Sequence, residues 1–334
     1  MCVTSAGDRG HTRSIIVMER SGILYVDQAE VRRLLPPEDA LALVEADFAE
    51  SKSETPVVPK PRILRVDLQA KFGQVLLIKS CALPARGVAG VRIFGSGDRF
   101  IVLLDIHTLQ TLAWVDDHWL YQLRTAAEGA VAAKRLAPPG PVVLGLVGAG
   151  VLARPLLKSL ALATSLSEVR IASRTTASRV ALAEAMQQEL RLPVRAVESV
   201  EQAVRGASVV ATLTTANAPL VESKWIEPGT LILSMGNGQE LAPDIFRRIS
   251  KVIVDDWETC RAMGDIAAAL RAGTMVESDL HAEISEVFQG KKAGRQRSDE
   301  VILVVPQGMI TQDVLLADHV YRKALGIRPT PASE

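Results

Sequence analysis

Val142-Val143-Leu144-Gly145-Leu146-Val147-Gly148-Ala149-Gly150-Val151-Leu152-Ala153 decides the fold. Six residues with no polar alternation read as a strand buried on both faces, as in a parallel sheet. They run directly into Gly-x-Gly-x-x-Ala. Gly148 permits a tight turn, Gly150 lets backbone approach a pyrophosphate, and the small Ala153 allows close packing of helix on strand. A helix opening at Val151 and Leu152 would offer its amides and the positive end of its dipole to phosphates. The simpler alternative is a glycine turn that holds no ligand.

Downstream, the pattern alternates regularly. After a helix to about residue 164, strand 169–173 leads into helix 176–190. Strand 194–197 then precedes helix 200–205. Strands are expected at 208–213, 230–235, 251–255 and 301–305, with helices at 242–249, 258–271 and 311–325. Apolar strands alternating with helices give βαβ units and a parallel sheet. The fold class is α/β, with a Rossmann dinucleotide-binding domain over 138–317.

Upstream, Pro138-Pro139-Gly140-Pro141 breaks a long helix that Asp116 and Asp117 open. Before it lie a strand at 23–26, a helix capped by Asp27 and ended by Pro36, and a helix at 38–51. A Pro-rich stretch at 55–61 follows. The segments 74–79, 88–94 and 100–106 read as antiparallel strands, because turn residues separate them closely. Residues 19–137, joined by 318–334, therefore form a second domain, of α+β type. Residues 1–18 are an N-terminal extension.

The end of the second strand of the motif bears on the cofactor. An acid there would serve the ribose 2′-OH of NAD, whereas an Arg accommodates a 2′-phosphate. Ser173-Arg174-Thr175 contains no carboxylate. NADP(H) is favoured and NAD(H) remains possible.

Composition narrows the class. The 334 residues suit two domains, and a 48% hydrophobic content supports a full core. Basic and acidic side chains balance at 38 each, which leaves no electrostatic footprint for nucleic acid or an anionic membrane. No apolar run reaches the roughly 20 residues that span a bilayer. Cys2, Cys81 and Cys260 are scattered, so neither a disulfide framework nor a zinc site is expected. A cytoplasmic location follows from these features.

Several stretches taken together resemble the ornithine cyclodeaminase/mu-crystallin family. They are Leu104-Asp105, Leu123-Arg124-Thr125-Ala126-Ala127, Gly148-Ala149-Gly150 and Thr212-Leu213-Thr214-Thr215. The likeness extends from about residue 23 to 325, and generic Rossmann dehydrogenases lack the Arg-Thr-Ala-Ala element. The resemblance implies that the α+β domain of 19–137 and 318–334 is the substrate-binding and dimerisation domain, with a homodimer and a small carboxylate-bearing substrate. Hydride would pass between nicotinamide and the imine or amine carbon of an amino-acid derivative. A redox-neutral cyclodeaminase with tightly held NAD is one alternative. A catalytically quiet NADPH-dependent binding protein is another.

The resemblance also assigns residues. Arg124 would grip the substrate carboxylate beside the cofactor, and Arg62 would be a second carboxylate-binding cation. Arg92 stands where the family usually has a lysine, and Lys79 could supply the missing amine. Ser96, Arg124, Thr125, Thr212, Thr214, Met235, Gly236, Asn237 and Pro306 fall at cofactor-contacting positions. Gln307 falls at a substrate-contacting one. The main departure is Gly236-Asn237-Gly238, where the family has Gly-x-Asp and uses that Asp as acid and base. Asn237 cannot exchange a proton near neutral pH, but it can orient a substrate. Pro306-Gln307-Gly308 replaces the usual Ser-Val-Gly. Both changes argue against ornithine cyclodeaminase itself. Catalytic roles thus rest on Arg92, Lys79 and Asn237. No histidine pair has metal-ligand spacing, and Asp255-Asp256-Trp257-Glu258 reads as a helix cap rather than a metal site.

Overall fold

The computed structural model describes residues 16–18, 22–50, 55–95 and 97–327. In chain order its elements begin with β1 (Ile16–Met18), β2 (Ile23–Val26), α1 (Gln28–Leu34) and α2 (Pro37–Ala49). Next come β3 (Leu64–Leu68), α3 (Gln69–Phe72), β4 (Gln74–Leu83), β5 (Val88–Gly95), β6 (Arg99–Asp105), β7 (Thr111–Asp116) and α4 (Leu120–Leu136). They continue with β8 (Val142–Val147), α5 (Ala153–Ala163), β9 (Leu166–Ala172), α6 (Thr176–Leu190), β10 (Val194–Ala196), α7 (Val200–Val204), β11 (Val209–Thr212) and β12 (Leu231–Ser234). The last are β13 (Lys251–Val254), α8 (Trp257–Cys260), α9 (Gly264–Ala272), β14 (Leu280–Glu283), α10 (Ile284–Phe288), β15 (Ile302–Val305) and α11 (Ile310–Ala324). They form two compact units.

The first unit holds the described parts of Met1–Leu43, Ser51–Arg124 and Ile310–Glu334. Its sheet has seven strands in the order β1-β2-β7-β6-β5-β4-β3. The run from β3 to β7 is antiparallel and contains the three strands expected there, while β2 joins β7 in parallel. Two strands, β3 and β7, are additional. β3 carries Arg65 and Asp67 between its apolar residues and is exposed along its whole length, as an edge strand can be. β7 runs into Asp116 and Asp117, which the sequence reads as a helix start. The helix opens there as read: Asp116 accepts the His118 N–H at 2.9 Å and the Asp117 carbonyl accepts the Tyr121 N–H at 3.1 Å, with α4 running from Leu120 and the Asp117 carboxylate given to Arg92. α11 lies on the sheet with its first eleven residues buried. A Cβ on Gly90 would sit 2.4 Å from Val314 Cγ2, so the glycine lets α11 lie close on β5. Asp27 caps α1 as expected, accepting the Glu30 N–H at 2.9 Å.

The second unit comprises Val44–Glu50 and Thr125–Met309. Its eight strands, all parallel, run β10-β9-β8-β11-β12-β15-β13-β14. The chain reverses its direction of travel across the sheet between β8 and β11. In such sheets the ligand crevice lies at the carboxyl ends of the strands at that point. The sheet's core is aliphatic, and Val210, Ile232, Val254, Leu303 and Val305 join one buried cluster. β14 and α10 are further elements that the sequence does not announce.

Two helical expectations change here. The segment 242–249 forms a 3₁₀ turn over Pro243–Arg248. The helix expected at 258–271 is divided into α8 and α9, because the second begins at Gly264 with φ +68°.

Candidate active site

In the second unit the Gly-rich turn leaves β8 as the sequence anticipates. Gly148 has φ +120°, and a Cβ there would lie 2.7 Å from the Leu213 carbonyl oxygen. Only glycine fits without moving β11. Gly150 differs, since no protein atom lies within 4 Å of a Cβ built on it. The space beside it is open, as close approach of a phosphate requires. Val151 is exposed and Leu152 half-buried. No side chain caps the start of α5 at Leu152, so the positive end of its dipole faces the Gly-rich turn without a side-chain partner for an anion to displace. These features fit a dinucleotide pyrophosphate.

At the end of β9, Arg174 and Thr175 are exposed. The Ser173 hydroxyl donates to the Thr175 carbonyl at 3.0 Å. Arg179, which the sequence does not single out, donates to the Ser173 carbonyl at 3.1 Å and braces the loop.

The loops after β11 and β12 are held by a residue that the sequence reading misses. Glu240 is fully buried. Its Oε1 accepts the Thr214 N–H at 2.7 Å. Its Oε2 accepts the Thr212 hydroxyl at 2.7 Å and the Gly236 N–H at 3.0 Å. Asp265, in the first turn of α9, accepts the Ser234 hydroxyl at 2.7 Å and the Glu240 and Leu241 amides at 2.9 and 3.0 Å. Burial pushes both carboxyls above their ordinary range, and the Asp265 charge adds to the rise at Glu240. Met235 is buried, with its Cε 2.8 Å from where a Cβ on Gly129 would lie. Asn237 is exposed. Gln307 Nε2 donates to the Gly236 carbonyl at 3.0 Å, while its Oε1 is buried without a hydrogen-bond partner. Pro306 is buried beside it.

Asp255 is fully engaged by protein. Its Oδ2 accepts the Gly308 N–H at 2.5 Å, and its Oδ1 accepts the Asp256 N–H and the Cys260 thiol. Burial, then the Asp255 charge, pushes that thiol well up, so Cys260 is a core residue rather than a nucleophile. Among the described residues no group of three or more His, Cys, Asp or Glu could hold a metal ion.

In the first unit the structure gathers three of the cations named from sequence. Lys79 on β4 and Arg92 on β5 are direct cross-strand partners. Arg92 Nε donates to Asp117 Oδ2 at 2.7 Å, and its Nη1 lies 3.1 Å from Asp313 Oδ2. Arg124 Nε reaches Asp313 Oδ1 at 2.9 Å. The Arg92 guanidinium also lies over the Phe94 ring at 4.4 Å. An ammonium could not bridge two acids with this planar fork, so Arg at position 92 has a structural reason.

The exposures order this cluster. The side chains of Arg92 and Arg124 each retain 5%, whereas those of Asp117 and Asp313 retain none. What little exposure the cluster keeps therefore belongs to the arginine side chains and not to the carboxylates. Burial drives the Asp313 carboxyl up, but Arg92, Arg124 and Lys79 outweigh it and hold the group below the usual range. Burial prevails at Asp117, which rises to about 6 despite Arg92. Arg62 is half-buried, and its Nη1 donates to the Val58 carbonyl at 3.1 Å. Thr125 is buried, and Ser96 lies outside the described residues.

Comparison with known proteins supplies the assignment. The model of the ornithine cyclodeaminase/mu-crystallin family matches residues 90–327. The chain belongs to that family. Among curated family relatives, an alanine dehydrogenase of Archaeoglobus fulgidus is 31% identical over 322 residues, covering 90% of this chain and 95% of that one. Among solved structures, the Thermococcus litoralis Δ1-pyrroline-2-carboxylate reductase, in complex with NADH and L-proline, superposes with a TM-score of 0.86 at 26% identity. It covers 91% of this chain and 98% of that one. An archaeal alanine dehydrogenase dimer with bound NAD follows at 0.84 and 27%, covering 91% and 96%. The eight-stranded unit is thus the family's Rossmann-type domain. No described helix is long and apolar enough to cross a membrane.

Proposed function

We propose that this family member is an NAD(P)H-dependent oxidoreductase acting at the imine or amine carbon of a small amino-acid-derived carboxylate. The observation that carries the reading is the buried cluster of Lys79, Arg92 and Arg124, in which Asp117 and Asp313 anchor the two guanidinium groups. Donors fixed in this way suit a planar carboxylate. Arg92 and Arg124 hold it, Arg62 serves as a further carboxylate-binding cation, and Gln307 orients the substrate.

The bound dinucleotide supplies or accepts a hydride at the substrate carbon. Gly148, Gly150, Val151 and Leu152 hold its pyrophosphate through backbone. Arg174, Ser173 and Thr175 select a 2′-phosphate, so NADP(H) is preferred. Thr125, Thr212, Thr214, Met235, Gly236 and Pro306 complete its binding. In the reductive direction the substrate nitrogen needs a proton. Gly236-Asn237-Gly238 offers no acid, whereas Lys79 brings an amine into the carboxylate-binding cluster. Lys79 therefore delivers that proton, and Asn237 orients the nitrogen by hydrogen bonding.

The protein works as a homodimer in the cytoplasm. The face of the seven-stranded sheet that carries Tyr25 and Trp114 leaves both rings exposed, with Phe100 stacked on Trp114 at 4.9 Å. A second copy would cover that face.

Steady-state oxidation of NADPH and NADH with cyclic imino acids, and with 2-oxo acids plus amines, tests the reading. Turnover with at least one substrate, faster with NADPH, is expected. Saturable cofactor binding with no turnover across the panel would instead make the chain a binding protein.

A further inference from the structure

Glu240 and Asp265 are buried carboxylates at the ends of β11 and β12. Together they accept six hydrogen bonds, from backbone amides and from the Thr212 and Ser234 hydroxyls. No cation pairs with either among the described residues. Buried acids usually have an opposite charge beside them, because desolvating an ion costs several kcal/mol. Elsewhere in the same unit that rule is kept, where the buried Glu300 meets Lys251 at 3.0 Å. At Asp265 loop anchoring alone does not require the charge, since a neutral amide could accept both N–H groups on its oxygen and donate to the Ser234 hydroxyl.

The place of the pair suggests what the charge does. Glu240 bonds directly to Thr212, Thr214 and Gly236, on the loops at the carboxyl edge where a dinucleotide lies. When hydride leaves a dihydronicotinamide for an imine carbon, two electrons and the proton go with it. The ring is left with a formal positive charge. We propose that Glu240 and Asp265 are positioning residues whose uncompensated negative charge favours the oxidised, cationic nicotinamide over the reduced, neutral one, so that they set the redox balance of the bound cofactor. The proposal rests on the cofactor reading above. At an effective dielectric constant near 20, a unit charge acting over roughly 12–16 Å changes a relative affinity by about five- to tenfold.

Asp265→Asn is the cleanest test. The Asn carbonyl oxygen would keep both amide bonds, and its NH₂ would donate to the Ser234 hydroxyl, which can turn to accept. Only the charge is lost. Glu240→Gln also removes a charge, but it sets an NH₂ against one backbone N–H, so it serves as the second variant. The measurement is titration of the full chain with NADP⁺, NADPH, NAD⁺ and NADH, each variant being checked for folding by its thermal melt. The expected result is that each variant weakens the oxidised form relative to the reduced form by about five- to tenfold. A ratio within about twofold of the wild type, with both forms still binding, overturns the inference and leaves the cofactor reading intact. If the wild type binds none of the four nucleotides, the cofactor reading falls and the inference falls with it.

Discussion

Two buried clusters, one in each unit, treat charge in opposite ways. In the first, the guanidinium groups of Arg92 and Arg124 are anchored by Asp117 and Asp313, which retain no exposure. In the second, Glu240 and Asp265 are buried with only amides and hydroxyls around them. The first pattern fixes the direction of donors that must meet an anion from outside. The second leaves a field that a cationic ligand can feel. Burial alone predicts neither, and the chemistry of the neighbours decides.

Breaking the anchored pattern should have the largest effect. Arg124→Ala removes a charged donor and leaves Asp313 one cation short. A fall in kcat/KM of roughly a hundredfold or more is expected. Lys79→Met should lower kcat by about a hundredfold at neutral pH while substrate still binds. If kcat/KM for Arg124→Ala stays near wild type, the carboxylate role is wrong. An unchanged kcat for Lys79→Met removes that residue as proton donor.

Stability measurements sharpen the contrast within the second unit. Burial pushes the Glu300 carboxyl up, but the Gln296 and Arg297 amides and the Lys251 ammonium hold it at about 2, below its ordinary 4.5. A depressed value means stabilisation that is present above the ordinary pKa and lost as pH falls from about 4.5 towards 2. Glu300→Gln should therefore cost about 2–3 kcal/mol at pH 7, and its deficit should shrink through that window. Asp265 has the opposite sign. Its pKa is raised, so the folded state is favoured while the group is protonated and that advantage is lost as pH rises. At pH 7 and without cofactor, Asp265→Asn should melt no lower than wild type if its bonds are kept. Equal destabilisation of the two variants would erase the distinction between the paired and the unpaired acid.

How much of this the sequence displays depends on chain separation. The turn from Gly148 to Ala153 and the parallel strands around it were legible, because each signal lies within a dozen residues. The antiparallel strands β4, β5 and β6 were legible for the same reason. β3 was not, because its exposed, charge-studded alternation carries no core signature. Asp117 was legible as a helix opener, but the partner of its carboxylate, Arg92, lies 25 residues away across the sheet. Glu240 and Asp265 gave no local sign, since their partners come from separate loops as far as 31 residues distant. Lys79, Arg92 and Arg124 were named through family likeness, and what the likeness did not contain was the pair of acids that anchors the two guanidinium groups.

A smaller effect is expected at the exposed cation of the cofactor edge. Arg174 is solvent-exposed, so its attraction to a 2′-phosphate is screened. Arg174→Asp should shift the ratio of kcat/KM for NADPH over NADH by about tenfold towards NADH. No shift would assign the 2′-phosphate preference elsewhere.

The central claim is hydride transfer to an imine carbon, and isotope transfer tests it most directly. The wild-type chain would be incubated with a cyclic imino acid and NADPH carrying deuterium on the transferring face of C4. The amino-acid product is expected to gain one deuterium, on the α-carbon that was the imine carbon. Product formed without that deuterium, or no product from any imino acid while NADPH binds, would contradict it.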